Sequence, residues 1–151
     1  MQIIECVPNF SEGKSSQTIK AIKNAIENVD GVKLVNYESD IDHNRTVFTF
    51  LGEPSAVTKA AFNAAKTAAE LIDISLHQGV HPRIGATDVL PLIPLKDISM
   101  EETVILAKAL AKKIGEELLI PTYLYEEAAT NPLFKNLANI RKQGFEKYEP
   151  N

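Results

Sequence analysis

Apolar residues first gather at residues 2–7, where Ile3, Ile4, Cys6 and Val7 make a short β-type run closed by Pro8. Residues 9–13, Asn-Phe-Ser-Glu-Gly, have the composition of a turn, and Ser15 or Ser16 is placed to cap a helix. Ile19, Ile22, Ile26 and Val29 then fall on one stripe while Lys20, Lys23 and Glu27 face away, which predicts that this helix is amphipathic and ends near Asp30 and Gly31. Residues 32–38 and 45–51 read as two strands, the second rich in Thr, Val and Phe. Pro54 suits the first turn of a second helix, whose Val57, Ala61, Ala64, Ala68 and Leu71 make a face of small residues for close packing. A strand is predicted at 89–95, where Pro91 and Pro94 remove ladder donors and so shorten it or put it at an edge. Ser99 with Glu102 is a capping-box pattern opening a third helix along Val104, Leu106, Leu110 and Ile114. One more strand is predicted at 121–125 and a helix around 132–142, before a polar end.

The order strand, helix, strand, strand, helix, strand is that of the ferredoxin-like split β-α-β sandwich, an α+β fold with the main helices packed on one face of the sheet. At 151 residues the chain is sized for one domain, 1–151. The second face of the sheet needs a cover, and the third helix and a partner subunit are equal candidates.

Composition narrows the function. With 44% hydrophobic and 24% charged residues and a net charge of −4, the chain has the make-up of an ordinary soluble domain and no electrostatic bias toward nucleic acid. A small-molecule substrate is expected. Cys6 is the single cysteine, without an internal disulfide partner, and its apolar surroundings suit a buried structural role. No signal sequence opens the chain, and no stretch approaches the roughly 18 apolar residues of a membrane span, so no membrane partner and a cytoplasmic location are expected.

Titratable groups concentrate in two places. Residues 77–88 hold His77, His81, Arg83 and Asp88 with Gly79, Pro82 and Gly85, a conformationally restrained loop entering an apolar strand. Histidine titrates nearest neutrality, which suits it to moving protons, although a loop histidine is more often a surface or hydrogen-bonding residue than a catalyst. The spacing of His77 and His81 matches a helical zinc pair, but the glycine and proline between and after them oppose a helix, and no metal is expected. The second place is 39–44, where Asp40, Asp42 and His43 stand beside Asn44 and Arg45. These residues can orient a substrate, or they can serve as a hairpin loop whose Asx side chains satisfy their own backbone.

Ordered motifs then carry a resemblance. Glu5-Cys6-Val7-Pro8-Asn9-Phe10-Ser11-Glu12-Gly13, Asn44-Arg45-Thr46-Val47, His81-Pro82-Arg83-Ile84-Gly85-Ala86-Thr87-Asp88-Val89, Pro121-Thr122-Tyr123-Leu124-Tyr125 and Ile140-Arg141-Lys142-Gln143-Gly144 together resemble the N-terminal subdomain of the formiminotransferase family. The resemblance implies transfer of a formimino group from N-formiminoglutamate to N5 of tetrahydrofolate, an acceptor substrate, in histidine breakdown. It puts the active histidine of the His-Pro-Arg motif at His81, as general acid and base. It also implies two ferredoxin-like subdomains with folate in the channel between them. By charge type, Glu38, Asp40 or Asp42 would orient His81 or raise its pKa, and Arg83 or Arg45 would bind a carboxylate, with Asn44 in the same binding set. The expected chain is thus a formimidoyltransferase or its catalytic half; the alternative is a non-catalytic folate-binding or assembly module pairing with a separate C-terminal-subdomain chain. A homodimer could set two copies where the family sets its two subdomains.

Overall fold

Alternation in β4 (Arg45–Gly52) sets the plan of the molecule. Thr46, Phe48, Phe50 and Gly52 are buried, while Arg45, Val47, Thr49 and Leu51 between them are half-exposed, the period-two pattern of a strand with one covered face. The computed structural model describes residues 1–72, 86–120, 122 and 124. Among them β1 (Ile3–Cys6) and β2 (Asn9–Phe10) run along one edge of β4, with Cys6 opposite Phe50 and Asn9 opposite Val47. The other edge of β4 pairs with β3 (Val32–Asp40), and β5 (Thr87–Val89) and β6 (Leu92–Lys96) pair with β2 and β1. Every pairing is antiparallel. Counting β1 with β2 and β5 with β6 as interrupted single strands, the order is last, first, third, second, which is the ferredoxin-like order expected from the sequence.

The interruptions are proline-made. Asn9 and Phe10, expected in a turn, form a strand, because after Pro8 the chain rejoins the ladder: Phe48 N donates to the Pro8 carbonyl at 3.1 Å. The strand expected at 89–95 is likewise split at residues 90–91, and Val7 N donates across to the Pro91 carbonyl at 3.3 Å. The two breaks lie side by side. A proline needs no donor there, since each break falls where the ladder is already open.

Among the described residues three helices cover one face. Ser15 caps α1 (Ser16–Glu27) by accepting from Thr18 N, and Ile22 and Ile26 point into the core. The helix stops at Glu27, short of Asp30 and Gly31, and Gly31 takes φ +88° in the turn into β3. On α2 (Pro54–Leu71), Val57, Ala60, Ala61, Ala64, Ala65 and Ala68 are buried, whereas Leu71, expected on this face, is half out in solvent at the last turn. The capping box of Ser99 and Glu102 opens α3 (Met100–Glu117), whose Leu110 and Ile114 join the same core. This helix packs beside α2 and against β6, so it extends the existing helical layer and does not cover the second face. That face, carrying Ile3, Glu5, Val47, Thr49, Leu51 and Ile93, stays partly exposed. Phe10 and Phe48 meet edge-to-face at 5.7 Å in the centre of the core. Cys6 is fully buried there, and burial, with Glu5 beside it, pushes its thiol pKa up, as suits a packing residue.

Of the strand expected at 121–125, Thr122 and Leu124 lie in none, and the other three residues, like the helix expected around 132–142, fall outside the described residues. Among the described residues no helix is long and apolar enough to cross a membrane.

Candidate active site

Segments far apart in sequence meet at one end of the sheet. The loop after β2 lies between the β3–β4 hairpin and the start of β5, and it is tied to both. Gly13 N donates to Asn44 Oδ1 at 2.8 Å, and the Thr46 hydroxyl donates to the Glu12 carbonyl at 2.6 Å. Because that takes the single hydrogen of Thr46, Ser39 is the donor in the 2.8 Å Ser39–Thr46 hydroxyl pair. On the other side Ser11 N donates to the Ala86 carbonyl at 2.8 Å. The Glu12 carboxylate turns inward and accepts from Lys14 N and Ser15 N, each at 3.0 Å, fixing the run into α1.

Two backbone positions make this fit possible. Asn44 is buried with φ +50°, a left-handed conformation that asparagine tolerates better than most residues. Gly13 has no room for a side chain: a Cβ would fall on the Asp40 carbonyl oxygen and within 2.7 Å of Arg45 N. Sequence reasoning gives no role to Glu12, Ser39 or Thr46. Their signal is indirect, since Glu12 and Thr46 sit inside two of the motifs that the fold makes adjacent.

The expected site residues divide into three groups. His77, His81 and Arg83 lie outside the described residues, in the stretch that ends where Ala86 receives Ser11 N. Arg45 is half-buried on the second face of the sheet, opposite Asp40 in the ladder, and Glu38, exposed, is on the same face opposite Val47. Asp42 is exposed in the hairpin turn. Asn44 is spent in part on Gly13, 31 positions away, whereas the hairpin reading expects Asx side chains to satisfy their own backbone.

Asp40 is engaged within the hairpin as well. Its Oδ1 accepts from His43 N at 3.1 Å and its Oδ2 lies 2.7 Å from His43 Nδ1. The backbone hydrogen bond from His43, then the side-chain one, hold the Asp40 carboxyl below the usual aspartate range. Among the described residues no group of three or more His, Cys, Asp or Glu side chains is arranged to hold a metal ion.

Known proteins share this pattern along the chain. The family model described as "Formiminotransferase domain, N-terminal subdomain" matches residues 3–151. A glutamate formimidoyltransferase of Thermoplasma acidophilum is 50% identical over 146 residues, covering 97% of this chain and 48% of the relative. One from Streptococcus pyogenes serotype M1 is 47% identical, covering 96% of this chain and 48% of the relative. The formimidoyltransferase-cyclodeaminase of Mus musculus is 48% identical over 96% of this chain and 27% of its own length. The chain therefore spans about half the length of the two glutamate formimidoyltransferases it matches, 48% of each. It belongs to the formiminotransferase family, over the stretch that is the family's N-terminal subdomain.

Proposed function

We propose that this chain is the acid/base half of a glutamate formimidoyltransferase, carrying the formimino group of N-formiminoglutamate to N5 of tetrahydrofolate. The observation that carries the reading is the meeting of the motif-bearing segments 9–13, 44–47 and 86–89 at one end of the sheet, in a chain that matches the family from residue 3 to residue 151. The folate N5 attacks the formimino carbon to give a tetrahedral intermediate. Collapse needs one proton to leave the attacking nitrogen and one to reach the departing glutamate nitrogen, and a single imidazole, His81, can make both transfers. Arg83 and Arg45 bind carboxylates of glutamate or folate, and Asn44, Asp42 and Glu38 belong to the same end of the sheet. The reaction belongs to cytoplasmic one-carbon metabolism, in the breakdown of histidine, with no metal taking part. The 151 residues act as one subdomain, and a second subdomain completes the folate channel.

The test is formimino transfer by the chain supplied with the C-terminal subdomain of a full-length relative, beside His81→Ala. Loss of about 10²-fold or more in turnover, with the circular dichroism spectrum unchanged, is the expected result. Unchanged turnover removes His81 from the mechanism. Folate binding without transfer in either preparation favours a non-catalytic binding module.

A further inference from the structure

Glu5 is out of place for a sheet residue. Residues 3–10 alternate without a break between half-buried and buried positions, and the register carries through Pro8: Glu5 lies opposite Leu51 and Asn9 opposite Val47, four residues on along each strand. Ile3, Glu5, Val7 and Asn9 therefore share the second face of the sheet. On its other side Glu5 lies opposite Ile93 of β6. The positions that flank it on this face, Ile3 and Val7 along the strand and Leu51 and Ile93 across it, are all apolar. Glutamate is poorly suited to strands, and packing alone would favour an apolar residue at this point.

The carboxylate is also unspent. Half-buried, it makes no hydrogen bond and no ion pair among the described residues. A carboxylate in partly apolar surroundings gives up hydration that a partner has to replace. The partner that suits it carries two N–H donors side by side, because the two oxygens can then accept in parallel.

We propose that Glu5 is a specificity-determining residue for the acceptor, its two oxygens accepting from the ring N3–H and the 2-amino group of a tetrahydropterin. This role rests on the folate reading above and adds the residue that selects the ring. Ile3, Val7, Leu51 and Ile93 shield the paired hydrogen bonds from water, which strengthens them. The formimino group of the donor shows N–H groups as well, but it has to react at the motif end of the sheet. Asn9, which pairs with β5 at that end, is four positions from Glu5, roughly 13 Å at about 3.3 Å per residue. A pterin spans much of that gap, which a formimino group does not. Held at Glu5 by its amino edge, the pterin extends toward Asn9 with the ring that bears N5 leading.

Calorimetric titration of this chain together with the C-terminal subdomain of a full-length relative tests the assignment. The ligands are tetrahydrofolate and an analogue with hydrogen in place of the 2-amino group, each against the natural chain and Glu5→Gln. The natural chain should prefer tetrahydrofolate by about 30-fold or more, and Glu5→Gln, of the same shape but with one acceptor replaced by a donor, should reduce that preference to within about threefold. An unchanged preference in Glu5→Gln overturns the proposal, as does equal weakening of both ligands or weakening of formiminoglutamate alone. If the natural chain also transfers the formimino group, any of these three results leaves the proposed function standing. No folate binding by the natural chain overturns both.

Discussion

The two ends of the sheet use the same device and differ in what surrounds it. At each end a glycine sits beneath a carbonyl oxygen of a neighbouring turn or strand: Gly13 under Asp40 at the motif end, Gly52 under Gly31 at the other. Around Gly13 the contact is locked by directional bonds, Gly13 to Asn44 and Thr46 to Glu12, with Asn44 and Thr46 both buried. Around Gly52 there is instead an open cleft of about 610 Å³ lined by Met1, Ile3, Gly31, Lys33 and Lys59 among others. The ion pair made by Met1 of its lining, the N-terminal ammonium to Asp97 at 3.7 Å, joins two exposed groups and contributes little. Van der Waals approach alone brings segments close, whereas buried hydrogen bonds also fix their orientation. A site that must aim a side chain belongs at the first kind of end.

The largest effect should come from adding a methyl group at each glycine. Gly13→Ala drives a Cβ into the Asp40 carbonyl oxygen and the Arg45 amide nitrogen, which belong to two paired strands and cannot move apart without opening the ladder. A loss of about 3 kcal/mol or more is expected in urea unfolding. Gly52→Ala meets chiefly one carbonyl, in a turn that borders the open cleft and can yield, so about 1–2 kcal/mol is expected. If Gly52→Ala costs more, the two ends are equally rigid and the contrast fails.

How much of this end of the molecule is legible in the sequence depends on the range of the forces involved. The stripe Ile22–Ile26 of α1, the Ser99–Glu102 capping box and the Thr-, Val- and Phe-rich run of β4 are local patterns, and each element appears where it is expected. Asn9 and Phe10 read as a turn because Pro8 and the polar run after them look like one, while their pairing partners Val47, Thr46, Val89 and Thr87 are distant in the chain. The position of α3 beside α2 comes from Leu110 and Ile114 fitting the common core, which no local pattern specifies. Asn44 stands out by its chemistry as a residue that matters to the hairpin, but the bond from Gly13 spans 31 positions. His81 and Arg83 rest on motif resemblance.

A middle-sized effect is expected at Asn44, and two substitutions separate its two contributions. Asn44→Ala removes the acceptor for the buried Gly13 N–H and also places a Cβ-bearing residue with no local hydrogen bonding at φ +50°. A loss of about 2 kcal/mol is expected. Asn44→Gly removes the same acceptor without the backbone cost, so it should lose about 1 kcal/mol. Equal losses would mean that the left-handed backbone contributes nothing and the bond everything.

The smallest effect should be seen at Asp40, where it appears as a dependence on pH. The folded-state pKa of this carboxyl is held down by hydrogen bonds from His43, so ionised Asp40 stabilises the hairpin above the ordinary aspartate pKa. That contribution falls away as pH drops through the lowered folded value, when the carboxylate takes up a proton in both states. Asp40→Asn keeps an oxygen for the His43 N–H but can never ionise, so it resembles the protonated natural residue. The variant should therefore be slightly less stable than the natural chain at about pH 6, and the gap should narrow as pH falls below the ordinary aspartate pKa and through the lowered folded value. Since Asp40 and His43 are both partly solvent-exposed, added salt should narrow the gap near neutrality as well. A gap that persists in acid would show that the substitution acts through shape and not through charge, and the hairpin end would then owe its order to Asn44, Thr46 and Gly13 alone.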